Sequence, residues 1–386
     1  MADEILWAEI DLKAIAHNIR ELRGITNPNS RLMAVVKANG YGHGSVEVAH
    51  CALSNGAEVL GVARIEEATL LRKEKIDAPI LVFGFTPPCF YEDILRFDLT
   101  QTIYSYQTAE ELSSFASSHS KKIKVHLKID TGMGRLGILP DCLIDYQKNG
   151  IKAECALREV ELIARLSGLE LEGIYTHFST ADSSDKSLSR RQFEVFVEFI
   201  RCLETKGLEF AIKHAANSAA IIDMPETHLD MVRAGISMYG LYPSEEVKKD
   251  KVSLSPAMSL KTTIIQVKDV SAGFKVSYGA MYEANKPTTI ATVPVGYADG
   301  YSRLLSSRGY MLVRGQRAPI AGRVCMDLTM LDVGHIPGVK QGDEVVIFGE
   351  QKGSSITVDE IASMLGTINY EIISSLTGRV VRLYLR

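Results

Sequence analysis

The chain has 386 residues, 46% of them hydrophobic, with 43 basic and 47 acidic side chains and a net charge of −4 at neutral pH. That length can bury the core of two domains or one large one, and the negative net charge, with no basic run to neutralise phosphates, argues against nucleic-acid binding. No stretch reaches the ~18 uninterrupted apolar residues of a membrane span, acids rather than bases follow Met1, and six cysteines (51, 89, 142, 155, 202 and 325) lack any CxxC spacing. The expectation is a cytoplasmic protein with neither a disulfide framework nor a metal site.

Trp7-Ala8-Glu9-Ile10 reads as a short strand, after which Asp11 can cap a helix through Arg23 with Ile15, Ile19 and Leu22 on one face. Strand-type runs then fall at 31–37, 58–63, 79–84, 100–104, 122–130, 172–178, 209–215 and 231–236. Helical patterns separate most of them, at 45–56, 65–75, 106–118 and 186–206, and two helices are expected within 136–171. Eight strands alternating with helices predict a closed parallel (β/α)8 barrel of the TIM type over residues 1–244. Tyr242-Pro243-Ser244 and the charged run to Lys251 read as a linker. Beyond it, runs at 258–270, 288–295, 310–314, 318–332 and 344–348, a helix at 357–365 capped near Thr357 or Ser355, and a last strand at 379–385 predict a mostly β domain over 245–386. The strand at 5–10 is compatible with either domain.

In such a barrel chemistry sits at the C-terminal strand ends, and the unusual polar residues collect there. Lys37 ends the first strand in VKANGYGHG, where a buried ammonium is costly unless it is paired or used as a Schiff-base amine. Lys128 and Asp130 end the fifth strand ahead of Arg135, and His177 ends the sixth. Asn217 and Ser218 follow the seventh, and Arg233, Gly235 and Ile236 close the eighth, where phosphate sites commonly lie. Each also has a structural reading. Lys37 and Arg233 could pair with acids, Lys128 with Asp130 or another carboxylate, His177 could be a satisfied core histidine, and Ser218 could cap the next helix. Their convergence on one rim favours an active site.

The β domain adds Tyr278 in a Gly-containing turn, Tyr297 in VGYADG, Met326 beside Cys325 in RVCMD, and Tyr370 after the last helix. Cys325 has no histidine partner by spacing, which weakens it as a nucleophile.

Together VKANGYGHG, LKIDTGMGRLG, YTHFSTAD, HAANSAA, MVRAGISMYGL, SYGA, VGYADGY and RVCMD resemble alanine racemase, the barrel-type pyridoxal-phosphate enzymes, essentially end to end. Gly40 departs from the family's usual alanine, which should loosen the turn. The resemblance implies that Lys37 carries pyridoxal 5'-phosphate as a Schiff base. It implies that Tyr41, Ser218, Gly235, Ile236 and Tyr370 hold the phosphate, with Asn217 beside them. Arg233 should face the pyridine nitrogen, and Arg135 and the Met326 backbone should meet the substrate carboxylate, with Tyr297 shaping the pocket. Lys128 matches a lysine that in some members is a carbamate orienting the arginine. Tyr278 should be the second base, supplied by the partner in a homodimer and tuned by His177. The implied reaction interconverts L- and D-alanine and supplies D-alanine for peptidoglycan.

Racemisation needs acid/base groups on both faces of Cα, and an amine and a phenol both start near pKa ~10. Nearby cations can lower both toward working pH. Arginine does not readily surrender its proton, so the pyridine should stay unprotonated and transamination should be suppressed. The alternatives are a serine or broad-specificity racemase, a barrel decarboxylase, which would place an acid where Arg233 stands, and a non-catalytic pyridoxal-phosphate protein, which would lack the β domain.

Overall fold

The computed structural model describes residues 4–140 and 155–386, and it divides into two compact units. One comprises residues 15–40 and 45–255; the other comprises 1–14, 41–44 and 256–386.

Strand β1 is Leu6–Asp11. The first unit is built on eight parallel strands: β2 (Arg31–Val35), β3 (Val59–Val62), β4 (Ile80–Val82), β5 (Thr100–Ile103), β6 (Ile123–Lys128), β7 (Leu169–Tyr175), β8 (Ile212–His214) and β9 (Met231–Ala234). Their order is β8-β7-β6-β5-β4-β3-β2-β9. The two end strands are joined by N–H donation from Asp230 to Lys213 C=O (3.0 Å) and from Arg233 to Ala216 C=O (3.0 Å), which closes the ring. Strands β3, β4 and β5 are buried at every position, as strands covered on both faces must be. The strands are shorter than the apolar runs suggest. The sixth run is displaced, so His177 lies two residues beyond β7 instead of ending it. Of the two helices expected in 136–171, Cys155–Ala164 is one; residues 141–154, including Cys142, lie outside the described residues.

The second unit holds β10 (Met258–Thr263), β11 (Gln266–Val270), β12 (Lys275–Val276), β13 (Tyr282–Glu283), β14 (Thr288–Val293), β15 (Tyr310–Val313), β16 (Gln316–Pro319), β17 (Thr329–Asp332), β18 (Glu344–Gln351), β19 (Ser354–Ile356) and β20 (Val381–Leu385). One sheet runs β16-β15-β18-β10-β1-β20 with β19 on β18, a second runs β11-β14-β17, and β12-β13 is a separate pair. Strand β1 therefore belongs to the β unit, antiparallel to β10 and parallel to β20. Alternating burial along β10 fits an antiparallel strand with one face on the core. The runs 258–270 and 318–332 each break in two, into β10 and β11 in one case and into the end of β16 and β17, with a loop between, in the other. Asp11 and Thr357 cap their helices as expected. Tyr370 lies inside a further short helix, Asn369–Ser374, which carries too few residues for a periodic pattern to reveal it.

Candidate active site

The chain leaves β2 at Val36, whose N–H donates to Gly61 C=O (2.9 Å), and then turns left-handed. Ala38 (φ 52, ψ 49), Asn39 (φ 52, ψ 49), Gly40 (φ 59, ψ 45) and Tyr41 (φ 51) form this turn directly after Lys37. Each L-residue held there costs roughly 1–2 kcal/mol, strain of the kind that accumulates at functional positions. Three bonds hold it. Gly40 N–H donates to Val36 C=O (2.9 Å), Ala38 N–H to Glu67 Oε1 (2.6 Å), and Ser45 N–H to Asn39 Oδ1 (3.1 Å). Glu67 also accepts Ala63 N–H (2.8 Å) and Arg64 N–H (3.1 Å). Gly40 adopts the required φ without a Cβ penalty. Burial lowers the Lys37 amine pKa, the Arg135 charge lowers it further, and Glu67 opposes them.

At the end of β6, Asp130 Oδ1 accepts N–H groups from Gly132 (3.0 Å), Met133 (2.9 Å) and Gly134 (3.0 Å), and Oδ2 accepts that of Arg135 (3.1 Å). This carboxylate folds the loop that presents Arg135. Among the described residues it makes no ion pair with Lys128, contrary to the pairing alternative. Lys128 is buried, its ammonium nitrogen 5.3 Å from the Tyr175 ring centroid. Burial, then Arg135 and Arg233, bring its pKa down to about 8.

Arg233, at the end of β9, is only 4% exposed. Its Nη1 donates to His214 Nδ1 (2.9 Å); its Nη2 donates to Thr176 C=O (2.9 Å), Ala215 C=O (2.8 Å) and His177 Nδ1 (3.2 Å). These are neutral acceptors, not the carboxylate that a structural ion pair would require. Burial brings the guanidinium down to about 10, still a cation at neutral pH. His177 is half-buried, and its pKa is held well below the usual histidine value by burial and by Arg233. Since arginine only donates, the neutral His177 ring carries its proton on Nε2.

Asn217 caps helix Ser218–Asp223, its Oδ1 accepting Ala220 N–H (3.1 Å). Ser218 is therefore released from that duty. Its Oγ accepts N–H from Gly235 (2.9 Å) and Ser237 (3.4 Å), joining the loops after β8 and β9 and leaving its hydroxyl proton to donate. Ile236 begins the short 3-10 turn that follows.

Within the β unit, the Tyr41 and Tyr370 rings lie 6.1 Å apart. Tyr278 opens a 3-10 turn flanked by Ser277 (φ 68), whose hydroxyl donates to Arg323 C=O (2.8 Å). Tyr297 N–H donates to Cys325 C=O (3.1 Å) and Ala298 N–H to Met326 C=O (3.0 Å), so the 297 and 326 loops are one assembly. Tyr278 is 72% exposed, and Met326 and Tyr297 are exposed as well. The residues missed by sequence reasoning are Glu67, His214 and Thr176. Arg64 stands where a capping-box serine or threonine would have flagged Glu67, and His214 was visible only as one letter of HAANSAA.

Residues 10–243 match the model of the alanine racemase N-terminal domain, and residues 257–384 match that of its C-terminal domain. The chain is 56% identical to the alanine racemase of Desulfosudis oleivorans, covering 100% of this chain and 97% of that protein. It is 50% identical to that of Desulforamulus reducens, covering 99% of each. Among solved structures, it resembles alanine racemase from Clostridium difficile 630 with a TM-score of 0.92 at 39% identity, covering 100% of this chain and 97% of that one. It resembles the Bacillus anthracis enzyme with a TM-score of 0.91 at 37% identity, covering 100% and 96%.

Proposed function

Because this chain belongs to the alanine racemase family over both of its domains, we propose that Lys37 and Tyr278 are the two bases with which it carries out the family's reaction. It interconverts L- and D-alanine. Pyridoxal phosphate is the family's cofactor and, when bound, supplies the electron sink that makes the α-proton of alanine removable. The residues present fit that group: a strand-end amine with a lowered pKa, a buried guanidinium with only neutral acceptors, and a hydroxyl free to donate.

On this reading Lys37 carries the cofactor and takes or returns the proton on one face of Cα. Ser218, Gly235, Ile236, Tyr41 and Tyr370 hold the phosphate, Asn217 keeping the Ser218 helix in place. Arg233 donates to the pyridine nitrogen without giving up its proton. Arg135 and the Met326 backbone bind the substrate carboxylate, Tyr297 bounds the pocket, and Lys128 orients Arg135. Tyr278 serves the opposite face from the partner of a homodimer, with His177 tuning it. The exposure of Tyr278 supports that assignment, since a phenol serving another copy must be accessible from its own. Among the described residues no helix is long and apolar enough to cross a membrane; we place the enzyme in the cytoplasm.

The observation that carries the reading is the buried Arg233 surrounded by neutral acceptors on the rim that holds Lys37. Borohydride reduction of the purified, cofactor-loaded protein followed by peptide mapping tests it. A visible band that collapses, with the pyridoxyl group on Lys37, is expected. A reduced adduct on any other lysine overturns the assignment.

A further inference from the structure

Arg233 is buried without a carboxylate on its guanidinium, and a buried cation in that state is costly. A line of three hydrogen bonds leads from it through the barrel. Arg233 Nη1 meets His214 Nδ1 at 2.9 Å, His214 Nε2 meets His126 Nδ1 at 2.9 Å, and His126 Nε2 meets Glu172 Oε2 at 3.2 Å. Its direction follows from the ends. Arginine can only donate, so His214 Nδ1 accepts and its proton sits on Nε2; His126 Nδ1 then accepts, and its own Nε2–H donates to the carboxylate.

Local structure is built for this line. The register between β6 and β7 slips so that Val125 pairs Leu171 and His126 pairs Gly173, which makes Glu172 the extra residue of a bulge. Bulges re-aim side chains in this way. Gly173 leaves room for the imidazole, since a Cβ there would lie 2.6 Å from the His126 ring. Glu172 and His126 line a cavity of about 90 Å³ at the strands' N-terminal ends, with Arg31 and Lys124 among the other lining residues.

We infer that Glu172 is a positioning residue for Arg233: as the last acceptor of the line it takes the Nε2–H that the arginine end leaves on His126 and, through the two imidazoles, supplies the buried guanidinium with its counter-charge. Burial keeps His126 and His214 below the usual histidine pKa, so both stay neutral, while the bond from His126 keeps Glu172 ionised. The functional consequence rests on the proposed role of Arg233.

The test is ring-nitrogen NMR of histidine-labelled protein, without and with cofactor, for wild type, Glu172→Gln and Glu172→Leu. In wild type, His126 and His214 should both be neutral Nε2–H tautomers. Glu172→Gln, whose amide oxygen still accepts, should keep that pattern. Glu172→Leu should leave the His126 Nε2–H without its acceptor and shift that nitrogen's resonance, and kcat should fall roughly ten-fold in both directions with KM little changed, the low end of what losing an outer-shell partner costs at metal sites. An Nδ1–H or charged state at either imidazole in wild type overturns the inference even if the leucine variant fails to fold. So does a leucine variant whose His126 Nε2 resonance and kcat are those of wild type. A normal tautomer pattern with no pyridoxyl adduct on Lys37 would instead leave the line standing and overturn the proposed role of the site.

Discussion

Glu67 accepts the amide of Ala38 at 2.6 Å, one residue past Lys37, and so ties the strained turn at the strand end to the helix Ile65–Lys73. Glu67→Ala would strip acceptors from Ala38, Ala63 and Arg64 together, and a loss of about 1–3 kcal/mol of stability is expected. Glu67→Gln keeps an acceptor but removes the charge that raises the Lys37 pKa. Cofactor attachment to the apoprotein, followed against pH by absorbance, should therefore extend to lower pH in this variant. An unchanged profile would mean that the Glu67 charge does not reach the amine.

Gly40 occupies the left-handed turn at φ 59 with its hypothetical Cβ 3.3 Å from the Ser45 backbone. Alanine there should fold and keep racemase activity while losing about 1 kcal/mol of stability. Thermal unfolding of Gly40→Ala beside wild type measures it; a variant more stable than wild type would contradict the strain argument.

Lys128, with its pKa brought down to about 8, is crowded by the Arg135 and Arg233 cations. Attack of the neutral amine on dissolved carbon dioxide forms an N–C bond and releases a proton, giving a carbamate anion. That change turns repulsion from both guanidinium groups into attraction. Only the neutral amine reacts, so labelling by ¹³C-bicarbonate should rise as pH rises through about 8. A carbamate carbon signal is expected in wild type and not in Lys128→Met. The same signal in both proteins would exclude Lys128 as the modified group.

Tyr278→Ala should retain the cofactor absorbance but lose α-proton exchange from one enantiomer far more than from the other, since the phenol serves one face only. Deuterium uptake from L- and D-alanine, measured separately, gives the ratio. Equal losses would remove Tyr278 from the role of second base.

A site shared between subunits implies that Lys37→Ala and Tyr278→Ala proteins, each inactive, complement one another in hybrids. Mixing them under conditions of proven subunit exchange should restore up to about a quarter of the normal sites, the random-mixing expectation for a two-fold dimer. Exchange without recovery would place both bases in one chain.

Much of this molecule is readable from residue order. Alternating strand and helix patterns announce the barrel, because a short continuous apolar run bounded by turns differs from a 3.6-residue period. The rim follows from topology, since parallel strands deliver their C-terminal ends to one side, and with them Lys37, Lys128, Arg233 and Ser218. Folding in three dimensions decided what periodicity does not encode. A strand pattern names a face but no neighbour, so only pairing assigned β1 to β10 and β20. Nor does a run such as VKANGYGHG reveal that its backbone winds left-handed, because glycine and asparagine permit that conformation without dictating it. Whether a histidine is a core residue, a ligand or a link depends on which atoms lie within hydrogen-bond reach. His126 and His214, 88 positions apart in the chain, meet at 2.9 Å because their strands β6 and β8 flank β7 and Gly173 leaves room for the imidazole.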